Sequence, residues 1–261
     1  MIFNMNLIQA LILGIVEGIT EFLPISSTAH LILLGRVLGI TSTDFVKTFG
    51  VVIQLGAILA VVVIYWRTFL RRWAVNGRII LAFIPTGFLG FLLYPYIRNL
   101  LGNPLVAIGA LFFGGIILIL FEYWHKESAD AVENLSAITY PQAFLIGLAQ
   151  TVSMIPGVSR SAATILGGMV QRIKRETIVE FSFLLAVPTM LAATGYDLLK
   201  NFHSLTGSSG NSLLLLVGFL AAFFSALAVV TWLICYIKNH KLTAFGIYRI
   251  VIALVFLLLY I

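Results

Sequence analysis

Two short stretches of an otherwise apolar chain carry side chains fit for acid–base and anion chemistry. The first reads Glu17-Gly18-Ile19-Thr20-Glu21-Phe22-Leu23-Pro24-Ile25-Ser26-Ser27-Thr28-Ala29-His30. Glu17 and Glu21 are four residues apart and share one helix face. A carboxylate at bilayer depth costs roughly 2.5–3.5 kcal/mol on insertion scales, so two on one face imply a polar cavity or a cation between them. Gly14 and Gly18, also four apart, let another backbone approach that helix. After Pro24 the chain is expected to restart as a helix with Ser26, Ser27 and Thr28 in its cap and first turn. Backbone N–H groups and the helix dipole make an anion site there. Ser27 and His30 lie on one face as a candidate nucleophile and proton carrier.

The second stretch reads Gln150-Thr151-Val152-Ser153-Met154-Ile155-Pro156-Gly157-Val158-Ser159-Arg160-Ser161-Ala162-Ala163-Thr164. A proline and a small-residue bend again precede a helix start rich in hydroxyls, and Arg160 at that start offers a bidentate fork for phosphate oxygens. Gln150 stands where the first stretch has Glu17, and Met154 where it has Glu21. Opposed helix starts, an arginine, two carboxylates, a histidine and several hydroxyls suit a diphosphate with a divalent cation, because carboxylates plus substrate phosphates are the usual way to hold Mg²⁺. Plainer roles stand beside these. Glu17, Glu21 and Arg160 can form a structural ion-pair network, His30 can be a buried hydrogen-bonded histidine, and each serine a simple cap. Gln54 is expected to hold helices together, and Arg249 to snorkel from the last apolar segment to an interface.

The elements that position these residues are membrane segments. The chain is 61% hydrophobic and 10% charged, with mean hydropathy +1.07, whereas soluble domains are near a quarter charged. The net charge of +6 comes from basic clusters between apolar runs, which fits a membrane protein and not nucleic-acid binding. The single cysteine, Cys235, excludes a disulfide within the chain. The first apolar run carries Glu17 and Glu21 and lacks a basic leader, so no cleavable signal peptide is expected. Six apolar segments, 48–66, 79–97, 104–124, 178–199, 213–237 and 244–261, are long enough to span. Four shorter ones form two pairs, 5–23 with 25–40 and 141–155 with 158–170, each broken near Pro24 or Pro156. Such pairs read as re-entrant hairpins.

The chain also repeats itself. Gln9-Ala10, Gly14, Ser26, Ala29, Leu33 and Gly35 match Gln142-Ala143, Gly147, Ser159, Ala162, Leu166 and Gly168 at a constant offset of 133. One domain of 1–261 is expected, with repeats at about 5–124 and 138–261. Arg67, Arg71, Arg72, Arg78, Lys126, Arg172, Lys174, Arg175, Lys238 and Lys241 fall in loops assigned inside, against Arg36, Lys47, Arg98 and Lys200 outside. That count puts both termini outside and inverts the halves. The predicted fold is an all-α polytopic membrane protein with an inverted-topology repeat, six transmembrane helices and two re-entrant helical hairpins.

The sequence resembles the undecaprenyl-diphosphate phosphatase family, known for bacitracin resistance. The likeness rests on Glu17-x-x-x-Glu21, on the run Pro24 to His30, and on Pro156-Gly157-Val158-Ser159-Arg160-Ser161-x-x-Thr164, and it covers the whole length. It implies a hydrolase converting undecaprenyl diphosphate to undecaprenyl phosphate at the outer face of the bacterial cytoplasmic membrane. It also implies dependence on a divalent cation (Mg²⁺ or Ca²⁺) and roles for Glu17, Glu21, Ser27, His30 and Arg160; either Glu17 and Glu21 hold the cation, or Glu21 works with His30 in proton transfer. Arg160, Ser26, Ser27, Thr28, Ser159, Ser161 and Thr164 would hold phosphate. The nucleophile is left open between Ser27 and a water activated by His30. Membrane lipids are the expected surroundings, and a homodimer is left open. An inverted repeat with broken helices is also the plan of secondary transporters, so a lipid-phosphate flippase is the main rival, with an ion channel behind it.

Overall fold

The computed structural model describes residues 5–41, 43–101, 103–200 and 209–260. Among them the chain forms ten α-helices: α1 (Leu7–Thr20), α2 (Ser27–Val37), α3 (Asp44–Arg71), α4 (Trp73–Leu101), α5 (Pro104–Trp124), α6 (Tyr140–Thr151), α7 (Arg160–Val170), α8 (Arg175–Lys200), α9 (Ser209–Ile237) and α10 (Thr243–Tyr260). Five of these are long and apolar enough to cross a membrane, within α3, α4, α5, α8 and α9. The sixth expected span forms α10, whose apolar stretch Thr243–Leu259 ranks with the shorter helices, as does α1. The expected all-helical, multi-pass architecture is therefore present at this level.

The two helix pairs begin alike for a local reason. Asn6 and Gln9 form a capping box at the start of α1, each side chain accepting from the other's backbone N–H at 2.9 Å. Thr139 and Gln142 form the same box at the start of α6. Each glutamine then donates across its own hairpin at 3.1 Å, Gln9 to the Leu38 carbonyl and Gln142 to the Gln171 carbonyl. All four partners are related by the offset of 133, so equivalent residues do equivalent work at both hairpin mouths.

The packing interlocks the two halves. The first hairpin helix, α1, lies against α9, while α6 lies against α4. Likewise α3 packs on α8 and α9, and α5 on α10. Small residues permit the close approaches. A Cβ added at Gly14 would lie 2.9 Å from Ala221 Cβ, and one at Gly18 would lie 2.9 Å from Ala226 N. At Gly147 on α6, it would lie 3.0 Å from Ala82 Cα. The close contact expected at Gly14 and Gly18 is thus present, and its partner is α9.

Several basic turns converge on one end of the bundle. The linker after α5 pairs with the α7–α8 turn through Val132 N to Arg172 O (2.9 Å) and Lys174 N to Val132 O (3.0 Å). Lys174 meets Glu133 at 3.1 Å, and Arg175 meets the buried Glu122 at 2.8 Å. Glu122 also accepts from Leu242 N at 2.9 Å, which brings in the α9–α10 turn. Arg78 lies over the Tyr140 ring, 5.1 Å from its centroid. The side chains of Arg98 and Lys200, two of the four cations assigned to the opposite end, lie outside the described residues.

Candidate active site

Both hairpins turn from their bend into the next helix in the same way. Ser26 caps α2 with φ +67°, and Ser159 caps α7 with φ +75°. Positive φ is uncommon for a residue with a Cβ and persists where surrounding structure imposes it, often at functional sites. The two serines fulfil the capping expectation: Ser26 Oγ accepts from Ala29 N at 3.5 Å and Ser159 Oγ from Ala162 N at 3.2 Å. Gly157, at φ +98°, makes the second bend possible. A Cβ there would lie 2.6 Å from the Ala107 carbonyl, so both its conformation and its space require glycine.

These caps bring the first residue of each helix, Ser27 and Arg160, to one polar cavity of about 170 Å³. Glu21 joins them. Arg160 Nη2 donates to Glu21 Oε1 at 2.9 Å, and Ser27 Oγ donates to Glu21 Oε2 at 2.5 Å. One carboxylate therefore spans the hairpins, tying a hydroxyl from one to a guanidinium from the other. Arg160 is steadied by the Ser182 carbonyl, which accepts from Nη1 at 2.9 Å, and by the Phe22 ring, 5.6 Å from its Cζ. Its Nε is buried without a protein partner.

Of the ten residues expected at the site, Glu21, Ser26, Ser27, Thr28, Ser159 and Arg160 line this cavity. The other four do not. Ser161 donates to the Phe22 carbonyl at 2.8 Å, and Thr164 meets Ser182 Oγ at 2.6 Å. Both are fully buried; Ser161 ties the second hairpin to the first, and Thr164 ties α7 to α8. Glu17 is fully buried, and neither of its carboxylate oxygens has a protein partner. Those orphaned oxygens, one helical turn from Glu21, suit a cation or a proton. Among the described residues no group of three or more His, Cys, Asp or Glu forms a ready-made metal cage.

The expected Ser27–His30 partnership is corrected by the geometry. His30 Nδ1 lies 2.8 Å from the Ser26 carbonyl, so Nδ1 carries the proton and donates. Its Nε2 then accepts from the Tyr248 hydroxyl at 2.9 Å, and the two rings stack at 5.6 Å. The spacing put Ser27 and His30 on one face, but Ser27 turns back to Glu21 while His30 turns toward α10. Gln54 also differs from expectation, since it lines the cavity beside Ser153 and Thr189. The Arg249 side chain does not snorkel. It is fully buried in the protein. A lone polar residue on an apolar helix was the only sequence signal for Gln54, Ser182 and Thr189, and none existed for Tyr248.

A second, larger groove of about 690 Å³ adjoins the cavity, and Gln54, Ser153, Thr189 and Ala193 line both. It runs between α4 and α8, past Phe83, Gly87, Phe91, Tyr94 and Tyr196, and is mostly apolar. A compact polar pocket opening into a long apolar trough suits an amphiphile with a small charged head.

Comparison with known proteins gives the chain a family and close relatives. Residues 10–255 match the family described as bacitracin resistance protein BacA. An undecaprenyl-diphosphatase from Sulfurihydrogenibium sp. (strain YO3AOP1) is 50% identical over 256 residues, covering 98% of this chain and all of the relative. The undecaprenyl-diphosphatase of Aquifex aeolicus is 51% identical over 249 residues, covering 95% and 96% of the two chains. That of Campylobacter jejuni serotype O:2 is 43% identical over 256 residues, covering 98% and 95%. With a match reaching from the first hairpin into the last helix, this chain belongs to the bacitracin resistance protein BacA family.

Proposed function

We propose that this chain is an integral membrane phosphatase that hydrolyses undecaprenyl diphosphate to undecaprenyl phosphate and inorganic phosphate, recycling the lipid carrier of peptidoglycan synthesis. Its abundance would then set resistance to bacitracin. The observation that carries this reading is the single cavity in which Glu21 and Ser27 from one hairpin face Arg160 from the other. The diphosphate head lies in that cavity and the first isoprene units lie in the adjoining groove.

The chemistry follows from what each atom can do. Arg160, which lines the cavity, and the starts of α2 and α7 hold the phosphates and stabilise charge that develops in the transition state. Ser27 Oγ attacks the terminal phosphorus and passes its proton to Glu21 Oε2. The bond from that phosphorus to the bridging oxygen breaks, and undecaprenyl phosphate leaves. Water then cleaves the seryl phosphate and releases inorganic phosphate. A water activated by His30 is less well supported, because Tyr248 occupies His30 Nε2 and His30 does not line the cavity. Glu21 and Glu17 are the residues that would hold a divalent cation, completed by phosphate oxygens. Such an ion neutralises charge on the phosphoryl group.

Helix lengths support the re-entrant topology. At 1.5 Å per residue, α1 and α2 reach only about 21 and 16 Å, short of the ~30 Å hydrocarbon core, whereas α10 reaches about 27 Å. We read the fold as six spans and two re-entrant hairpins in inverted repeats, about 5–124 and 138–261. The convergence of basic turns supports taking that end as the inner one. On that orientation the groove, bounded by Tyr94, Ile97 and Tyr196, opens toward the outer leaflet.

The test is phosphate release by the purified protein in detergent. Undecaprenyl diphosphate and soluble farnesyl diphosphate should both be hydrolysed without a sealed membrane. Lipid movement across vesicles without any phosphate release would replace this reading with a flippase.

A further inference from the structure

Arg249 on α10 carries a charge at membrane depth, yet its side chain is shut off from the protein surface. Its side chain is fully buried, and no carboxylate among the described residues pairs with it. Every N–H of its guanidinium instead meets a backbone carbonyl. Nε donates to Leu111 O at 3.3 Å. Nη1 donates to Pro24 O at 3.2 Å and Val158 O at 3.0 Å. Nη2 donates to Ala110 O at 2.9 Å and Gly157 O at 3.0 Å. Five donors thus meet five acceptors, the full capacity of the group. Glycines make room for it: a Cβ at Gly114 would lie 2.7 Å from Arg249 Cζ, and a Cβ at Gly246 would lie 2.8 Å from the Gly115 carbonyl, where α5 and α10 nearly touch.

The carbonyls it gathers are not arbitrary. Pro24 is the bend of the first hairpin, two residues before the Ser26 cap. Gly157 and Val158 are the bend of the second, directly before the Ser159 cap. One planar group therefore holds both bends, each leading directly into its serine cap, in a fixed relation. Water is absent from the hydrocarbon interior, so bends need internal donors for their carbonyls. A separate polar side chain in each hairpin would satisfy that need equally well. A single fork bonded to both also sets the distance between them.

We propose that Arg249 is a positioning residue that fixes the register of one hairpin against the other, so that Ser27, Glu21 and Arg160 meet at reacting distance. This rests on the phosphatase reading above. Arg249 does not line the cavity, so its loss should act on turnover and spare substrate binding. Small misplacements of reacting groups are costly to rate. Lysine keeps the charge and three donors from one point but cannot span five carbonyls.

The experiment uses the full-length protein with Cys235→Ser, and spin labels at Ile19→Cys and Ile155→Cys, exposed positions near the two bends. Arg249→Lys should lower kcat about tenfold with KM changed less than about threefold. Arg249→Gln should lower kcat further and broaden the Ile19–Ile155 distance distribution. An Arg249→Lys protein with unchanged kcat, or an Arg249→Gln protein with an unchanged distance distribution, overturns the proposal. If the glutamine variant does not fold, the lysine variant decides by the kcat/KM split and by its own distances. Should the parent protein release no phosphate, the phosphatase reading fails, while the distance measurement still decides whether Arg249 sets the register.

Discussion

The two hairpins share a backbone and differ in chemistry. Both begin with a capping box, close with a glutamine-to-carbonyl bond, and enter an 11-residue helix through a serine at positive φ. At the offset of 133, Ser27 corresponds to Arg160, Glu21 to Met154, Glu17 to Gln150 and His30 to Ala163. The scaffold thus presents two equivalent helix starts to one cavity, and substitution has made one a hydroxyl beside a carboxylate and the other a guanidinium. The buried pair Glu17 and Gln150 shows the same divergence. Gln150 donates to Thr86 Oγ1 at 2.8 Å and Thr189 Oγ1 at 3.2 Å, whereas Glu17 has no protein partner. One half keeps an amide whose nitrogen is bonded, though its Oε1 has no partner, where the other keeps an acid with neither oxygen bonded.

The sharpest way to test this division of labour is to remove the hydroxyl. Ser27→Ala should lower phosphate release at least about 1,000-fold, as expected for loss of a nucleophile. Full single-turnover activity in that variant would exclude the covalent route, and a trapped phosphoserine in the parent protein would establish it. Breaking the bridge between hairpins comes next. Glu21→Gln and Arg160→Ala should each cost at least about 100-fold, and the double variant should fall well short of the product, because the two groups act as one unit. Near-normal turnover in either would remove the site assignment.

Making the first hairpin resemble the second is a subtler change. Glu17→Gln should raise the Mg²⁺ concentration for half-maximal activity about tenfold, the low end of what loss of a ligand-supporting group does. An unchanged metal titration would leave Glu17 as a proton site only. His30→Ala and Tyr248→Phe, acting outside the cavity, should each lower kcat by about tenfold or less. A much larger loss for His30 alone would restore it to the proton path. The smallest effect belongs to the second hairpin. Gln150→Leu should cost about 1 kcal/mol of stability, read as a lower Tm in detergent, with activity retained. Thr86 and Thr189 would still donate to the Gly147 and Leu185 carbonyls, so little is left unsatisfied.

Much of this was legible in the sequence because it depends on local pattern. The helix pairs, their breaks at Pro24 and Pro156, and six residues of the cavity follow from apolar runs, prolines and polar residues where none should be. What escaped depends on how distant elements meet. Three-residue spacing paired Ser27 with His30, but an N-terminal helix residue can turn back toward its own bend, and Ser27 found Glu21 there. Arg249 sits two turns into an apolar segment, where snorkelling is the ordinary outcome. Only the convergence of α5 and both bends around it gives its five donors somewhere better to go. Gln54, Ser182 and Tyr248 were likewise placed by tertiary packing that no spacing encodes.

The crossed packing of α1 on α9 has a consequence for how the protein is made. More than 200 residues separate Gly18 from the backbone it rests against near Ala222 and Ala226. A nascent chain that has delivered α1 to the translocon must therefore hold two acids in lipid long before their shelter emerges from the ribosome. Slow or stalled synthesis of the later helices should expose that segment to quality-control proteases, so the yield of this protein should respond to elongation rate more than its apolar composition suggests.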